Sequence, residues 1–150
     1  MPQSFTCLHY HIVFSTKDRR PMIGDDIRDR LYEYIGGILV ENKSLLVAAG
    51  GMPDHIHILA SISKERSIAD AMRLVKTNSS KWVHETFPKN DSFAWQAGYG
   101  AFAVSYSSLD SVKKYIADQA THHRRIGFKE EFIALLRRHD VEFDERYLWA

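Results

Sequence analysis

A chain of 150 residues with a formal net charge of +1 fits one domain and lacks the strong positive charge that nucleic-acid-binding domains often carry. Its 45% hydrophobic and 26% charged residues exclude a disordered chain, and no apolar run approaches the roughly 20 residues of a membrane-spanning helix. The single cysteine, Cys7, excludes an internal disulfide, and no basic stretch leads into an apolar run at the N-terminus. We therefore expect a single cytoplasmic domain over residues 1–150.

The elements of the first half follow from the spacing of apolar residues. Stretches rich in β-branched and aromatic residues predict strands, and apolar residues that recur every three or four positions predict helices. The predicted elements are a strand at 6–16, a helix from about Gly24 to 42–44, a strand at 45–49, a turn at 50–54 and a strand at 55–62. The second and third strands therefore form a hairpin.

The second half continues the alternation of helix and strand. Ser67 and Asp70 resemble a capping box, and the helix that they open runs to a stop before Pro88. Residues 94–106 predict a fourth, aromatic-rich strand, in which two glycines indicate a bulge or a bend.

Two further helices complete the predicted chain. A cap at 107–110 opens one helix, and a last helix covers about 129–139. The first of them is expected to bury an apolar stripe formed by Leu109, Val112, Ile116 and Ala120. The order β-α-β-β-α-β predicts an α+β fold, the ferredoxin-like split β-α-β sandwich. It has one antiparallel sheet with helices on one face, and here additional C-terminal helices.

His55 and His57 flank an isoleucine in the predicted third strand. Because side chains two apart in a strand point the same way, both imidazoles project from one face, which we expect to be open. Two convergent neutral imidazoles make half of a divalent-metal site, although a lone His-x-His pair is often structural. A second pair, His9 and His11 in the first strand, is interpreted as structural or DNA-facing.

Tyr115 and Gln119 lie four residues apart in a predicted helix and so share one face. Lys113 and Lys114 precede the pair and residues 122–125 (HHRR) follow it, so the phenol lies among cations that would stabilise its phenolate. Assistance is needed, because an ordinary tyrosine has a pKa of about 10 and is a poor nucleophile at neutral pH. The alternative is an ordinary amphipathic-helix tyrosine at the edge of the core.

Three basic clusters are candidates for phosphate contacts, because clustered lysine and arginine neutralise a nucleic-acid backbone. A solvated surface is the alternative for some of their members. The candidate DNA-binding residues are Lys17, Arg19, Arg20, Lys76, Lys81, Arg124 and Arg125. Phe93, Trp95 and Tyr99 are interpreted as sheet core, with one of them available as a platform for an unpaired base.

Several blocks of the sequence together resemble the small single-tyrosine HUH transposases of the insertion-sequence two-hundred-like group, where U is a bulky apolar residue. The blocks are 10–17 (YHIVFSTK), 19–21 (RRP), 52–57 (MPDHIH), 95–96 (WQ), 98–100 (GYG) and 115–119 (YIADQ). The resemblance covers nearly the whole chain. The Pro-Asp-His-apolar-His and Tyr-x-x-x-Gln blocks are specific when they occur together in this order.

The resemblance implies a transposase that cleaves and rejoins single-stranded DNA, folded into hairpins at element ends, through a 5′-phosphotyrosine. It makes His55, His57 and Gln119 the ligands of one Mg²⁺ or Mn²⁺ ion and Tyr115 the nucleophile. Imidazole ligands alone would also suit Zn²⁺. The resemblance further implies a homodimer, in which the tyrosine helix of one subunit can complete the metal site of the other.

The C-terminal tail is the sequence feature that bears on this homodimer. It carries four large apolar residues, Phe143, Tyr147, Leu148 and Trp149. A cluster of this kind usually marks a contact, which can be a second subunit or the core of the same subunit.

Other functions stay open on the sequence alone. A phosphoesterase of another kind could use the same histidines with water as nucleophile, and would form no covalent adduct. A non-catalytic nucleic-acid-binding ferredoxin-like domain would not need Tyr115 and Gln119 in register. A host-adopted nuclease derived from a transposase would share every catalytic residue.

Overall fold

One four-stranded antiparallel sheet forms the centre of the computed structural model, which describes residues 3–149; residues 1, 2 and 150 of the predicted domain lie outside it. The strands are β1 (His9–Ser15), β2 (Leu45–Met52), β3 (His55–Ser61) and β4 (Gly100–Val104). Their spatial order is β2-β3-β1-β4, with each neighbouring pair antiparallel. This is the order of a ferredoxin-like split β-α-β sheet, so the predicted fold class is confirmed.

Six helices accompany the sheet in the described residues. They are α1 (Asp25–Glu41), α2 (Ile68–Thr86), α3 (Leu109–Ala117), α4 (Gln119–His122), α5 (Phe128–Arg138) and α6 (Glu145–Leu148). Short 3₁₀ turns lie at Lys17–Arg19, Pro88–Asn90 and Tyr106–Ser108. None of the helices within residues 3–149 has the length and apolar character to cross a bilayer.

The two faces of the sheet bury two separate cores. Side chains alternate along the strands, so Ile56 and Ile58 pack beneath α1 and α2, in one core with Ile12 and Phe14. On the opposite face, Val13 packs with the apolar stripe of α5, formed by Phe128, Phe132, Leu135 and Leu136. The expectation of helices on one face is therefore wrong, because the second face also carries apolar groups that α5 removes from water.

The β2–β3 hairpin is confirmed, and β2 continues further than predicted. Met52 pairs with His55, so the turn is only Pro53 and Asp54. Gly50, Gly51 and Met52, predicted as turn, belong to the strand. Glycine allows α3 to lie against the strand here, because a Cβ at Gly50 would be 2.4 Å from the carbonyl oxygen of Ile116.

The structure tests the predicted starts of α2 and α3 and the predicted bounds of β4. The Ser67 cap is confirmed, because its Oγ accepts a hydrogen bond from the Asp70 N–H at 3.0 Å. The predicted cap at 107–110 overlaps a 3₁₀ turn, in which the Ser108 hydroxyl contacts Ser105 Oγ at 3.0 Å. The fourth strand is shorter than 94–106, and the carbonyl groups of Gln96 and Gly98, which precede it, accept hydrogen bonds from a lysine of α2.

The C-terminal tail folds back on its own chain. Phe143, Leu148 and Trp149 pack against the core beneath α5, and Tyr147 is 70% exposed. Of the two alternatives for this cluster, the described residues show packing on the same subunit. The tail therefore no longer argues for a second subunit.

Candidate metal and nucleophile site

The two histidines of β3 lie beneath the C-terminal helices. The relative exposures of His55 and His57 are 1% and 0%. The expectation that this face is open is wrong, because α3, α4 and α5 cover it. The imidazoles face a buried cluster of polar side chains, called the pocket below, instead of solvent.

Each imidazole is oriented by a partner at its Nδ1 atom. His55 Nδ1 donates to Asp54 Oδ1 at 2.7 Å, and His57 Nδ1 lies 2.8 Å from His11 Nε2. Burial, followed by the nearby His57, lowers the pKa of His11 to about 3, so this ring is neutral. Histidines that bind metals are held in this way, with one ring nitrogen on a partner and the other facing the ion. His11, interpreted from sequence as structural or DNA-facing, is buried and contacts His57, which agrees with the structural alternative.

Gln119 and His123 place further polar atoms near the Nε2 atoms of His55 and His57. Gln119 Oε1 is 3.4 Å from His55 Nε2 and 3.0 Å from His123 Nε2. The predicted helix breaks at Asp118, so Tyr115 lies in the last turn of α3 and Gln119 begins α4. Gln119 is buried, and the neighbouring Ala120, predicted to be buried, is exposed.

A carboxylate from α5 occupies the centre of the pocket. Glu131 is 1% exposed, and its Oε1 lies 2.9 Å from His57 Nε2, 3.2 Å from His123 Nε2 and 3.8 Å from His55 Nε2. Burial opposes ionisation, but the hydrogen bond and charge of His57 outweigh it and lower the pKa of Glu131 to about 2. One ligand atom from each of these four residues lies within 4.8 Å of the others.

Tyr115 closes the pocket from α3. Its hydroxyl donates to Glu131 Oε2 and lies 3.2 Å from His122 Nε2. Burial first, and then the hydrogen bond and charge of Glu131, raise the pKa of Tyr115 above its ordinary value. The predicted cationic surroundings are therefore not what the phenol meets first, because its nearest charged neighbour is a carboxylate.

The donor set fits a divalent cation. In neutral His55 the proton lies on Nδ1, toward Asp54, so the lone pair of Nε2 faces the oxygens of Gln119 and Glu131. Acceptor atoms that face one another repel, and a cation between them removes the repulsion. Imidazole nitrogen with amide and carboxylate oxygen suits Mn²⁺ and related ions.

The sequence interpretation missed Glu131 and the roles of His122 and His123. Glu131 shares the buried stripe of α5 with Phe128 and Phe132, and a carboxylate in such a stripe needs a partner. That signal was available in the sequence. The two histidines were interpreted only as part of a basic cluster.

The structure brings some of the candidate DNA-binding residues to the pocket and keeps others away. Arg19 lines a cleft with His55 and His123, and Arg125 lines another with Tyr115. Three more candidates are exposed and lie close in sequence to Arg19 or Arg125; they are Lys17, Arg20 and Arg124.

Lys76 and Lys81 lie on α2, across the sheet from the histidines. The Lys76 ammonium donates to the carbonyl oxygens of Gln96 at 2.9 Å and Gly98 at 2.6 Å, and burial lowers its pKa to about 8. Lys81 lies 3.9 Å from Glu85. These two lysines are therefore not part of the pocket rim.

The three aromatic residues before β4 differ in burial. Phe93 is a core residue, and Trp95 is partly buried with its indole N–H on Ser79 Oγ at 3.0 Å. Tyr99 is 37% exposed beside the Lys76 ammonium. Of the three, Tyr99 is the one whose ring is accessible to a stacking partner.

Comparison with known proteins identifies the family. The family model described as "Transposase IS200 like" matches residues 4–119. The chain belongs to the IS200-like transposase family. This confirms the resemblance drawn from the sequence blocks. The match ends at Gln119, so His122, His123 and Glu131 lie in the part of the chain that it does not cover.

Individual relatives agree with the family assignment. The ISDra2 transposase TnpA of Deinococcus radiodurans is 25% identical over 117 residues, which is 75% of this chain and 84% of that protein. The crystal structure of a candidate transposase from Deinococcus radiodurans R1 is similar with a TM-score of 0.62 and 26% identity, and the match covers 79% of this chain and 98% of that one. A REP-associated tyrosine transposase bound to a REP hairpin has the same fold, with a TM-score of 0.60, 15% identity and coverage of 84% and 74%.

Proposed function

We propose that this IS200-like transposase cleaves and rejoins single-stranded DNA at insertion-element ends, with Tyr115 as the covalent nucleophile. The observation that carries the proposal is the convergence of His55, His57, Gln119 and Tyr115 on one buried pocket. Family membership supports DNA transposition as the activity, and this convergence supports the mechanism.

His55, His57 and Gln119 would hold one divalent ion, Mg²⁺ or Mn²⁺. Their facing Nε2 and Oε1 atoms, and the partners that occupy both Nδ1 atoms, support this assignment. Such an ion would offset the negative charge that develops on a non-bridging oxygen of the scissile phosphate.

Tyr115 would carry out the exchange of phosphate esters. Its oxygen forms a bond to phosphorus, and the bond from phosphorus to the 3′ oxygen breaks, which leaves a 5′-phosphotyrosine and a 3′-hydroxyl. The phenol proton can pass to Glu131 Oε2 or His122 Nε2, the two atoms beside it, and the leaving 3′ oxygen takes up a proton. Because one ester replaces another, attack by a 3′-hydroxyl reverses the step and rejoins strands without ATP.

The DNA partner is proposed to be a single strand or a hairpin. A structural neighbour bound to a DNA hairpin supports this, as do the basic residues at the two clefts beside the pocket. Lys17, Arg19, Arg20, Arg124 and Arg125 are the proposed phosphate contacts. Lys81 would serve only DNA that extends to α2, and Lys76 already donates to two carbonyl oxygens.

The protein is further proposed to act as a homodimer in the cytoplasm, as the resemblance implies. In the described chain, Tyr115 faces the histidines of its own subunit. Exchange of the tyrosine helix between subunits would require α3 to leave β2, where the Gly50 contact lets it pack closely. In the proposed dimer, each subunit would then carry its own complete pocket.

The decisive experiment looks for a covalent adduct. A single strand that carries the DNA flanking the gene, labelled at its 3′ end, is incubated with the protein and Mn²⁺ or Mg²⁺ and run on a denaturing gel. The label must be at the 3′ end, because the tyrosine would hold the 5′ phosphate of the downstream fragment. Tyr115→Phe should lose the adduct. Tyr106→Phe is the matched control, since Tyr106 is 75% exposed.

The outcomes separate the competing functions. An adduct at wild-type yield in Tyr115→Phe would refute the assignment of the nucleophile. Cleavage without an adduct would favour a water-dependent phosphoesterase, and binding without cleavage would favour a non-catalytic domain. An adduct formed on chromosomal repeat hairpins, but not on flanking DNA, would favour a host-adopted nuclease.

A further inference from the structure

Glu131 is placed where a ligand of the divalent ion would be. It belongs to α5, beyond the residues that the family model matches, and it is buried with its Oε1 among three imidazole Nε2 atoms. Taking a carboxylate out of water is costly unless it is paired with charges or binds a metal. Residues 3–149 place no lysine or arginine among its hydrogen-bond and ion-pair partners.

The distances around Glu131 Oε1 are those of atoms that share an ion. Ligand atoms about 2.1 Å from a small divalent ion are separated from one another by about 3.0 Å when adjacent and about 4.2 Å when opposite. Glu131 Oε1 lies 2.9 Å from His57 Nε2 and 3.8 Å from His55 Nε2. An ion could therefore be accepted with small movements of these side chains.

We propose that Glu131 is an additional ligand of the divalent ion, which it binds through Oε1 together with His55, His57 and Gln119. This inference rests on the proposed function and extends its metal site. Glu131 Oε2 keeps the hydrogen bond from Tyr115, so one carboxylate links the ion to the nucleophile. The proton of His57 then lies on Nδ1, where His11 Nε2 accepts it.

An anionic oxygen ligand would make the site more suitable for Mg²⁺ or Mn²⁺, the ions of the proposed function. His55, His57 and Gln119 supply no negative charge, and imidazoles by themselves also suit Zn²⁺. A carboxylate is the ligand type that Mg²⁺ and Mn²⁺ share. The competing interpretation is that Glu131 merely fills the pocket when no ion is bound, in which case it would compete with the ion.

The test measures Mn²⁺ binding to the whole protein without DNA. Isothermal titration calorimetry on the wild type, Glu131→Gln and Glu130→Gln gives the affinities. Glu130 is the matched control, because it is the preceding residue of the same helix and is exposed. We expect Glu130→Gln to bind as the wild type does, and Glu131→Gln to bind at least about tenfold more weakly, since loss of even an orienting partner costs that much.

A second measurement keeps the test valid if Glu131→Gln lowers the stability of the protein. Each protein is unfolded thermally in EDTA and again in excess Mn²⁺, so the rise in Tm is compared with its own metal-free value. The rise should be small in Glu131→Gln and normal in Glu130→Gln. Equal or tighter Mn²⁺ binding by Glu131→Gln would overturn the proposal and favour the competing interpretation.

His57→Ala separates this inference from the function beneath it. If His57→Ala loses Mn²⁺ binding while Glu131→Gln does not, the proposed metal site stands and Glu131 is not a ligand. If neither variant changes the affinity, the metal site of the proposed function is itself refuted. Loss in both variants, with the Glu130→Gln control intact, supports the proposal.

Discussion

Gly50→Ala is expected to disturb Tyr115, the proposed nucleophile, through the helix that carries it. An added Cβ would be 2.4 Å from the carbonyl oxygen of Ile116 and 3.0 Å from its Cγ2. Ile116 follows Tyr115 in α3. The methyl group can be accommodated only if α3 moves away from β2 or the strand yields.

The size of the displacement follows from these contacts. An ordinary contact begins at 3.4 Å, so the carbonyl oxygen must move by about 1 Å. Overpacking of this kind costs about 1–3 kcal/mol of stability. A shift of about 1 Å at a reacting group can cost about 100-fold in rate. We therefore expect adduct formation to fall much further than the folded fraction does.

The assay compares adduct yield with stability measured by urea unfolding. Gly37→Ala is the control, because a Cβ built there meets no described atom within 4 Å and Gly37 lies in the exposed middle of α1. Alanine should stabilise that helix by about 0.5–1 kcal/mol and leave the adduct yield unchanged. Wild-type adduct yield in Gly50→Ala would refute the claim that α3 must lie this close to β2.

Three further predictions follow from the pocket and its rim. Because the folded pKa of His11 lies below its unfolded value near 6.5, the metal-free protein should lose stability as pH falls from about 6.5 toward 3. Urea unfolding at several pH values should show a smaller loss of stability in His11→Gln, and an equal loss in both proteins would count against a neutral His11. Replacing Lys17, Arg19 and Arg20 with glutamine should weaken single-strand binding and reduce its log–log salt slope by about 2, so an unchanged slope in filter binding would exclude them as phosphate contacts. Mixing Tyr115→Phe with His57→Ala subunits should restore no adduct, because each pocket is built within one chain; recovery of activity would instead reveal composite sites.

Sequence patterns predicted the parts of this site that depend on local geometry. Alternation along β3 places His55 and His57 on one face, and the four-residue spacing brings Tyr115 and Gln119 to one side even though the helix breaks at Asp118. The β2–β3 hairpin followed from turn composition. Each of these features depends only on residues that are close together in the sequence.

Other features depend on contacts between distant segments. The stripe of α5 indicated an apolar face but not which face of the sheet it would cover, so the burial of the histidines was not foreseen. Glu131 meets His57 across 74 positions of sequence, a pairing that no local pattern contains. The late start of the fourth strand likewise involves a contact with another helix, in which Lys76 donates to the carbonyl groups of Gln96 and Gly98.

Because side chains alternate along β3, the residues that fix the strand in the core lie on one face and the two histidines lie on the other. Ile56 and Ile58 are fully buried on the far side, and each contributes about 1.5–3 kcal/mol that a one-residue slip would forfeit. The location of His55 and His57 in space is thus secured by neighbours that take no part in the chemistry. A descendant of this gene could change the side chains at 55 and 57 and acquire another reaction, or none, while the strand stayed in place. The presence of the same fold in a related protein would then say little about whether that protein is still an active transposase.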